Sequence, residues 1–381
     1  MNSKERNEER YQRRKTKRAD KKRRIIESIG TMADVFTFKD MFKYGQDCCK
    51  NVRWKTSVQN FERHLFSRTA VNKRNVLNGY KPKKLHRFIL NERGKTRNIG
   101  APHIDDRQIQ KTLTKKVLLP LYGNGLIYDN GASLKGKGLM FSQSNLDKAL
   151  RWHIKKYGFT GYVIITDFKG FFPNADREYI KSRHLGIKDS CLRQIMDAIV
   201  NSDDSSDKGM PLGVEPSQLE MVAYPSALDN YMSCQVGLKG FGHYMDDYHI
   251  LVPPNMNPHD VLDVFMSKVK EYGLTISPNK SKIVPIGKSF KFCKVTRVFQ
   301  NSKIIKRGCR DSRKRARRKI KMLAREQDRL TPQDIYTSVQ SMFAYFRRYN
   351  NHSTYADLTR LFYSLFGCTL EEYWLRNRTN C

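Results

Sequence analysis

Apolar positions in this chain follow two periods, which divide it into amphipathic helices and a few short strands. Tyr162-Val163-Ile164-Ile165 is an unbroken apolar run closed by Thr166-Asp167; it predicts a strand buried on both faces with a carboxylate at its C-terminal end. Phe241 to Val252 predicts two strands joined at Tyr244-Met245-Asp246-Asp247 and stopped by Pro253-Pro254. Arg87-Phe88-Ile89-Leu90 predicts a strand before an Asn91-Glu92-Arg93-Gly94 turn, and Ile276 to Ile286 and Phe290 to Phe299 supply further strand-like pieces. Residues 258 to 272 carry a helical stripe. Pro216 suits a helix's first turn, Leu219, Val222, Ala223 and Ala227 give that helix its apolar side, and Pro225 should kink it. Thr331-Pro332-Gln333-Asp334 opens another helix with a cap, a first-turn proline and an acid, and Val339, Met342, Phe343 and Phe346 continue its face. Gly123 to Gly138 reads as loop, and the serine-flanked Asp203, Asp204 and Asp207 as a solvated one.

Charge turns this mixed α+β pattern into that of a polyanion binder. Seventy-two Lys and Arg against 37 Asp and Glu leave a formal net charge of +35, which points to nucleic acid. Residues 1 to 24 are basic and almost without apolar positions. They predict an arm outside the core, disordered or a frayed helix until it meets phosphates, with Arg13, Arg14, Lys17 and Arg18 as candidate contacts. Arg310 to Lys321 holds eight basic residues and predicts a helix along a nucleic-acid duplex, contacting it through Arg313, Arg317 and Lys321. No run reaches membrane-spanning length and the N-terminus has no apolar signal core, so a cytoplasmic or nuclear location without membrane partners is expected, the cytoplasm first. Eight cysteines show neither CxxC nor paired spacing with His, which favours reduced thiols over zinc.

The adjacent acids Asp246 and Asp247 carry the chemistry. Ionised neighbours on one turn repel, so they share a proton or hold a divalent metal. Polymerising nucleotides uses two Mg²⁺ ions about 4 Å apart, one lowering the pKa of the primer 3′-hydroxyl and one neutralising the leaving pyrophosphate. Carboxylates from separate segments must then converge. Asp167 and Asp246 can do so if their strands are neighbours in one antiparallel sheet, with Asp247 in a supporting place. Phe172, five positions after Asp167, could set its ring under the incoming sugar and exclude a 2′-hydroxyl. Lys95 and Arg97 share a strand face and could grip a triphosphate, although a core aromatic and a surface Lys-x-Arg are the plainer readings of each alone.

Five segments in order now carry a resemblance: Lys95-Thr96-Arg97, Asp167 to Phe172, Leu212 to Gln218, Tyr244 to Asp247, and Asn279 to Lys282. They resemble the blocks of reverse transcriptases, over roughly residues 50 to 365. The resemblance implies an α+β right-hand polymerase, with a basic arm over 1–30, fingers over 31–150, a palm with an antiparallel sheet over 151–300 and a helical thumb over 301–381. It also implies RNA-templated DNA synthesis from dNTPs, with template RNA and nascent DNA as partners. Two Mg²⁺ ions, or Mn²⁺ instead, would sit on Asp167 and Asp246 with Asp247 adjacent and the Phe168 carbonyl assisting, and Phe172 would be the steric gate. Lys280 would either protonate the pyrophosphate or face a phosphate.

Leu212-Gly213 and Ser217-Gln218 stand where many relatives have Gln-Gly and Ser-Pro. This is similar to the enzymes of diversity-generating retroelements and related bacterial and phage groups, some of which act in antiphage defence. Leu212, Gly213 and Gln218 would border the nascent base pair, and the lost amide at Leu212 implies reduced fidelity. Asp129 to Gly138 resembles the second block, with Leu134 where Arg is often found and Lys135 or Lys137 left to make the phosphate contact. An accessory protein or a second copy of the chain remains open as a further partner. An RNA-dependent RNA polymerase and an RNA-binding scaffold with a vestigial site are the competing readings; Phe172 speaks against the first and the intact acid set against the second.

Overall fold

The computed structural model describes residues 3–92, 95–301, 303–349 and 351–377. Its described strands form three antiparallel sheets. β1 (His86–Glu92) and β2 (Lys95–Ala101) are a hairpin. β3 (Tyr162–Asp167), β4 (Gly240–Tyr244), β5 (Asp247–Val252) and β6 (Lys282–Pro285) make the central sheet in the order β4-β5-β3-β6. β7 (Phe290–Phe292), β8 (Val295–Gln300) and β9 (Lys303–Gly308) make the third; the pattern of apolar residues does not signal β9, which is Lys- and Arg-rich.

The apolar run at 162–165 places β3 mid-sheet, between β5 and β6. Side chains alternate across it. Ile164, Tyr248, Ile250 and Val252 pack with Leu228, Met232 and Phe265 on one face, while Val163 and Leu251 pack with Leu146, Leu150, Phe290 and Phe292 on the other. By the same alternation Asp167 and Asp247 belong to the second face. The helices Arg310–Arg325, Pro332–Arg348 and His352–Phe366 close a separate core around Ile320, Val339, Phe343 and Phe362. Thr331 caps the second of these by accepting from the Asp334 N–H, as its sequence predicts.

Three expectations need correcting. Pro225 separates two helices, Glu215–Ala223 and Ser226–Asn230, instead of kinking one, because its ring removes a donor and crowds the preceding turn. Asp203 and Asp204 are not merely solvated: both accept from Arg87 of β1, at 2.6 and 2.7 Å. The basic N-terminus is a helix, Ser3–Ser28, with a packed inner side. Its few apolar residues suffice because they share one face: Tyr11 meets Tyr231 edge-on with centroids 6.2 Å apart, and Ile25 and Ile26 join the core with Leu121 and Ile195.

Beside that helix lies a buried ionic group. His184 places Nδ1 2.8 Å from Asp197 and Nε2 3.1 Å from Glu220, whose same oxygen accepts from the Tyr122 hydroxyl. Burial opposes a charged ring, but the hydrogen bonds and charges of Asp197 and Glu220 outweigh it and raise the His184 pKa to about 9. The folded value exceeds the ordinary 6.5. The resulting stabilisation is therefore complete below pH 6.5 and lost as pH rises through 9. Urea unfolding should show stability falling across that window, by at most about 3 kcal/mol, and His184→Gln should flatten the slope.

Candidate active site

The β4–β5 turn holds Met245 at φ +56°, a left-handed conformation that costs a non-glycine residue energy. Tyr244 pairs with Asp247 across the turn, and Asp247 lies opposite Asp167 in the β3–β5 register. The Phe168 N–H donates to the Asp246 carbonyl at 3.3 Å. Two sequence segments thus bring all three predicted acids to one end of the central sheet. Asp167 is buried; its Oδ2 accepts from the Lys280 ammonium, while its Oδ1 is buried without a hydrogen-bond partner. Burial, and then the charges of Asp246 and Asp167, push Asp247 up to about 6. Burial also raises Asp246, with the Asp167 charge adding to it. Burial works against a charged Lys280, but the three acids hold it cationic and raise its pKa. Negative charge here exceeds the cations that balance it.

Among the described residues, no three or more His, Cys, Asp or Glu side chains are arranged as a ready metal cage. Mg²⁺ needs no such cage, since it commonly takes one or two carboxylates and completes its shell with water and substrate phosphate. An orphaned Asp167 oxygen beside two acids of raised pKa, with an ammonium standing in for a cation, fits that kind of open site. Asp167, Asp246 and Asp247 are the residues that could hold the ions.

The β4–β5 turn rests on a histidine. His243 Nδ1 lies 2.8 Å from the Met245 carbonyl and Nε2 3.1 Å from Asp229 Oδ2, and the Tyr248 hydroxyl donates to Asp229 Oδ1 at 3.0 Å. All three side chains are buried. Both ring partners are acceptors, so both nitrogens donate. Burial opposes that charge, and Asp229 with the Met245 carbonyl outweighs it and raises the His243 pKa. Sequence spacing does not point to Asp229; the available signal is a polar His in an otherwise apolar strand next to the acids. His243→Leu should cut turnover about 10- to 100-fold by loosening the turn. His243→Gln, which keeps a donor for Met245, should retain most of it. Steady-state kinetics with melting curves on both variants decide.

The β1–β2 hairpin reaches toward the acids. Lys95 and Arg97 are exposed on β2, and the Lys95 charge acts on Asp246. The base of the hairpin is anchored by the Gly100 N–H donating to the Leu212 carbonyl at 2.8 Å. Gly213 has φ +108°, and a Cβ there would lie 2.7 Å from the Gly100 carbonyl oxygen, so this contact requires glycine. Phe172 is half-buried against Phe171, and its carbonyl accepts from the Met210 N–H at 2.9 Å, which ties the predicted gate to the Leu212 segment. Gly213 and Gln218 line a cavity of about 360 Å³ together with Leu134, Lys135, Arg107 and Lys115. Lys137 instead donates to the Tyr128 and Asn130 carbonyls, which leaves Lys135 as the cation of that block facing the cavity.

Arg313, Arg317 and Lys321 are exposed on one side of their helix while Ala316, Ile320 and Leu323 are buried on the other. The C-terminal helices also touch the acid end of the sheet: the Tyr345 hydroxyl donates to the Lys294 carbonyl at 2.7 Å, and the neighbouring Cys293 thiol donates to Asp247 at 3.6 Å. Arg13, Arg14 and Lys17 are exposed and Arg18 is half-buried, on a helix that packs away from this end. No helix among the described residues is long and apolar enough to cross a membrane.

No protein of curated function matches the chain. Among solved structures, telomerase from Candida albicans, in complex with a fragment of telomeric RNA, is similar with a TM-score of 0.47 at 11% identity, over 77% of this chain. The match spans 58% of the telomerase chain. The reverse transcriptase (RNA-dependent DNA polymerase) family model matches residues 81–323, a span that holds Lys95, Arg97, Asp167, Phe172, Leu212, Asp246, Asp247 and Lys280. The chain therefore belongs to the reverse transcriptase (RNA-dependent DNA polymerase) family, on a right-hand α+β fold.

Proposed function

We propose that the chain copies RNA into DNA at Asp167, Asp246 and Asp247, with two Mg²⁺ ions as cofactor and Mn²⁺ able to replace them. The observation that supports this most is the register that sets Asp247 against Asp167, with the Asp246 backbone joined to Phe168. The ions would supply activation of the primer hydroxyl and neutralisation of the pyrophosphate. The remaining work falls to the chain's own groups. Lys95 and Arg97 take the triphosphate, Phe172 excludes a 2′-hydroxyl, and Leu212, Gly213 and Gln218 border the new pair. Lys280 faces the phosphates as a cation, and the Phe168 carbonyl would assist in holding a metal ion. Residues 31–150 act as fingers, 151–300 as palm and 301–381 as thumb, with Arg313, Arg317 and Lys321 along the template–primer duplex.

The Leu212 and Gln218 departures favour a bacterial or phage enzyme, acting in the cytoplasm on a dedicated RNA, in a diversity-generating retroelement or in antiphage defence. Sequencing the RNA that copurifies with the protein, and the cDNA made from it, tests this. One abundant RNA with matching cDNA is expected; RNA copies of RNA would turn the reading to an RNA-dependent RNA polymerase. Leu212→Gln should restore an amide beside the base pair and lower misincorporation on a defined RNA template, and an unchanged error spectrum would remove the fidelity claim.

A further inference from the structure

The exposed side of the N-terminal helix is patterned. Arg6, Arg10, Arg13, Lys17, Lys21 and Arg24 are all exposed and recur every three or four residues, so they form one stripe along about 27 Å of helix. The inner side packs on residues 226–235 through Tyr11 and Tyr231, and Leu228 and Met232 of that segment cover the Ile164–Tyr248 face of the central sheet. Asp167 and Asp247 belong to the opposite face. The stripe therefore lies across the sheet from the acids, outside the path of a duplex being copied there. Beside it runs a groove of about 270 Å³ lined by Arg14, Arg18, Lys239 and Tyr128. Tyr128 is 69% exposed and carries the Lys137 ammonium 5.4 Å from its ring centre.

We propose that this surface docks a double-helical segment of the RNA partner, separate from the copying cleft, with Tyr128 as the stacking platform for a nucleotide at its edge. The proposal rests on the reading that the enzyme works on RNA, and it adds a second RNA site to it. A row of cations with no acceptor geometry reads phosphate backbone and A-form shape rather than sequence, and exposed aromatics beside cations receive unstacked bases. The exposed positions of the helix carry no large apolar side chain, which separates it from membrane-surface helices.

The test uses the full chain and a fluorescent RNA hairpin with a stem of about 16 base pairs, read by anisotropy while unlabelled template–primer saturates the cleft. Wild type should bind the hairpin in that mixture. Arg10→Glu/Lys21→Glu/Arg24→Glu should weaken hairpin binding at least about tenfold and reduce the salt slope by about 3, with extension of the short template–primer within about twofold of wild type. The corresponding Gln variant should lose less, in the same direction. Displacement of the hairpin by template–primer, unchanged hairpin affinity in the Glu variant, a parallel fall in extension, or competition by phosphatidylserine vesicles would each overturn the proposal. Absence of wild-type extension would strike the copying reading instead, so the two failures are distinguishable.

Discussion

Asp246→Asn should reduce templated nucleotide addition by more than about a thousandfold at saturating substrate, because on the proposed two-metal reading several kcal/mol of charge stabilisation disappear with one carboxylate. Rapid-quench kinetics on an RNA template measure it. The same change should leave the melting temperature of the metal-free protein equal or higher at pH 7.5. Asp246 has its pKa raised by burial beside Asp167. An acid whose folded pKa is raised stabilises the fold only while protonated, and that contribution is lost as pH rises. At pH 7.5 the ionised group is a burden that a neutral amide of the same shape relieves. A large loss of activity with a large loss of stability would point to a structural acid instead.

The second large effect is expected at Phe172. Its ring is half-buried and lies edge-on to Phe171, 5.9 Å between centroids. Its carbonyl is held by the Met210 N–H, and Leu212 two residues further on is held by Gly100 of the hairpin. A rigidly mounted ring can act as a wall, whereas a mobile one would yield to a 2′-hydroxyl. Phe172→Ala should lower the preference for dNTPs over rNTPs by about a hundredfold, comparable to what shape alone discriminates in other pockets. Phe172→Val should fall between. The readout is kcat/KM for dGTP and GTP opposite the same RNA template base, and an unchanged ratio would remove the gate.

Much of this site is legible in the sequence because its signals are local. An apolar run ending in Asp167 and a hairpin with acids at its turn specify strand ends, and strand ends of one sheet converge. The helix cap at Thr331 is equally local, while the turn read at 91–94 falls partly outside the described residues. What holds the site in place is less visible, because it depends on pairings between distant segments. Asp229 reaches His243 only after the helix Ser226–Asn230 packs on the sheet, and Arg87 finds Asp203 only once the hairpin folds against the Asp203 loop. The Gly100–Leu212 contact is backbone to backbone and leaves no side-chain trace except the glycine at 213. The N-terminal helix misleads for another reason. Its composition is that of a free arm, while Tyr11, Ile25 and Ile26 are few enough to pass as noise until their common face is seen.

The most direct test is single-nucleotide extension of a labelled DNA primer on an RNA template, one dNTP at a time, with Mg²⁺ supplied and then chelated. The predicted result is a one-nucleotide product only with the complementary dNTP, lost on chelation and restored by Mg²⁺ or Mn²⁺. No extension under either metal, or equal extension with the matching ribonucleotide, would contradict copying of RNA into DNA at Asp167, Asp246 and Asp247.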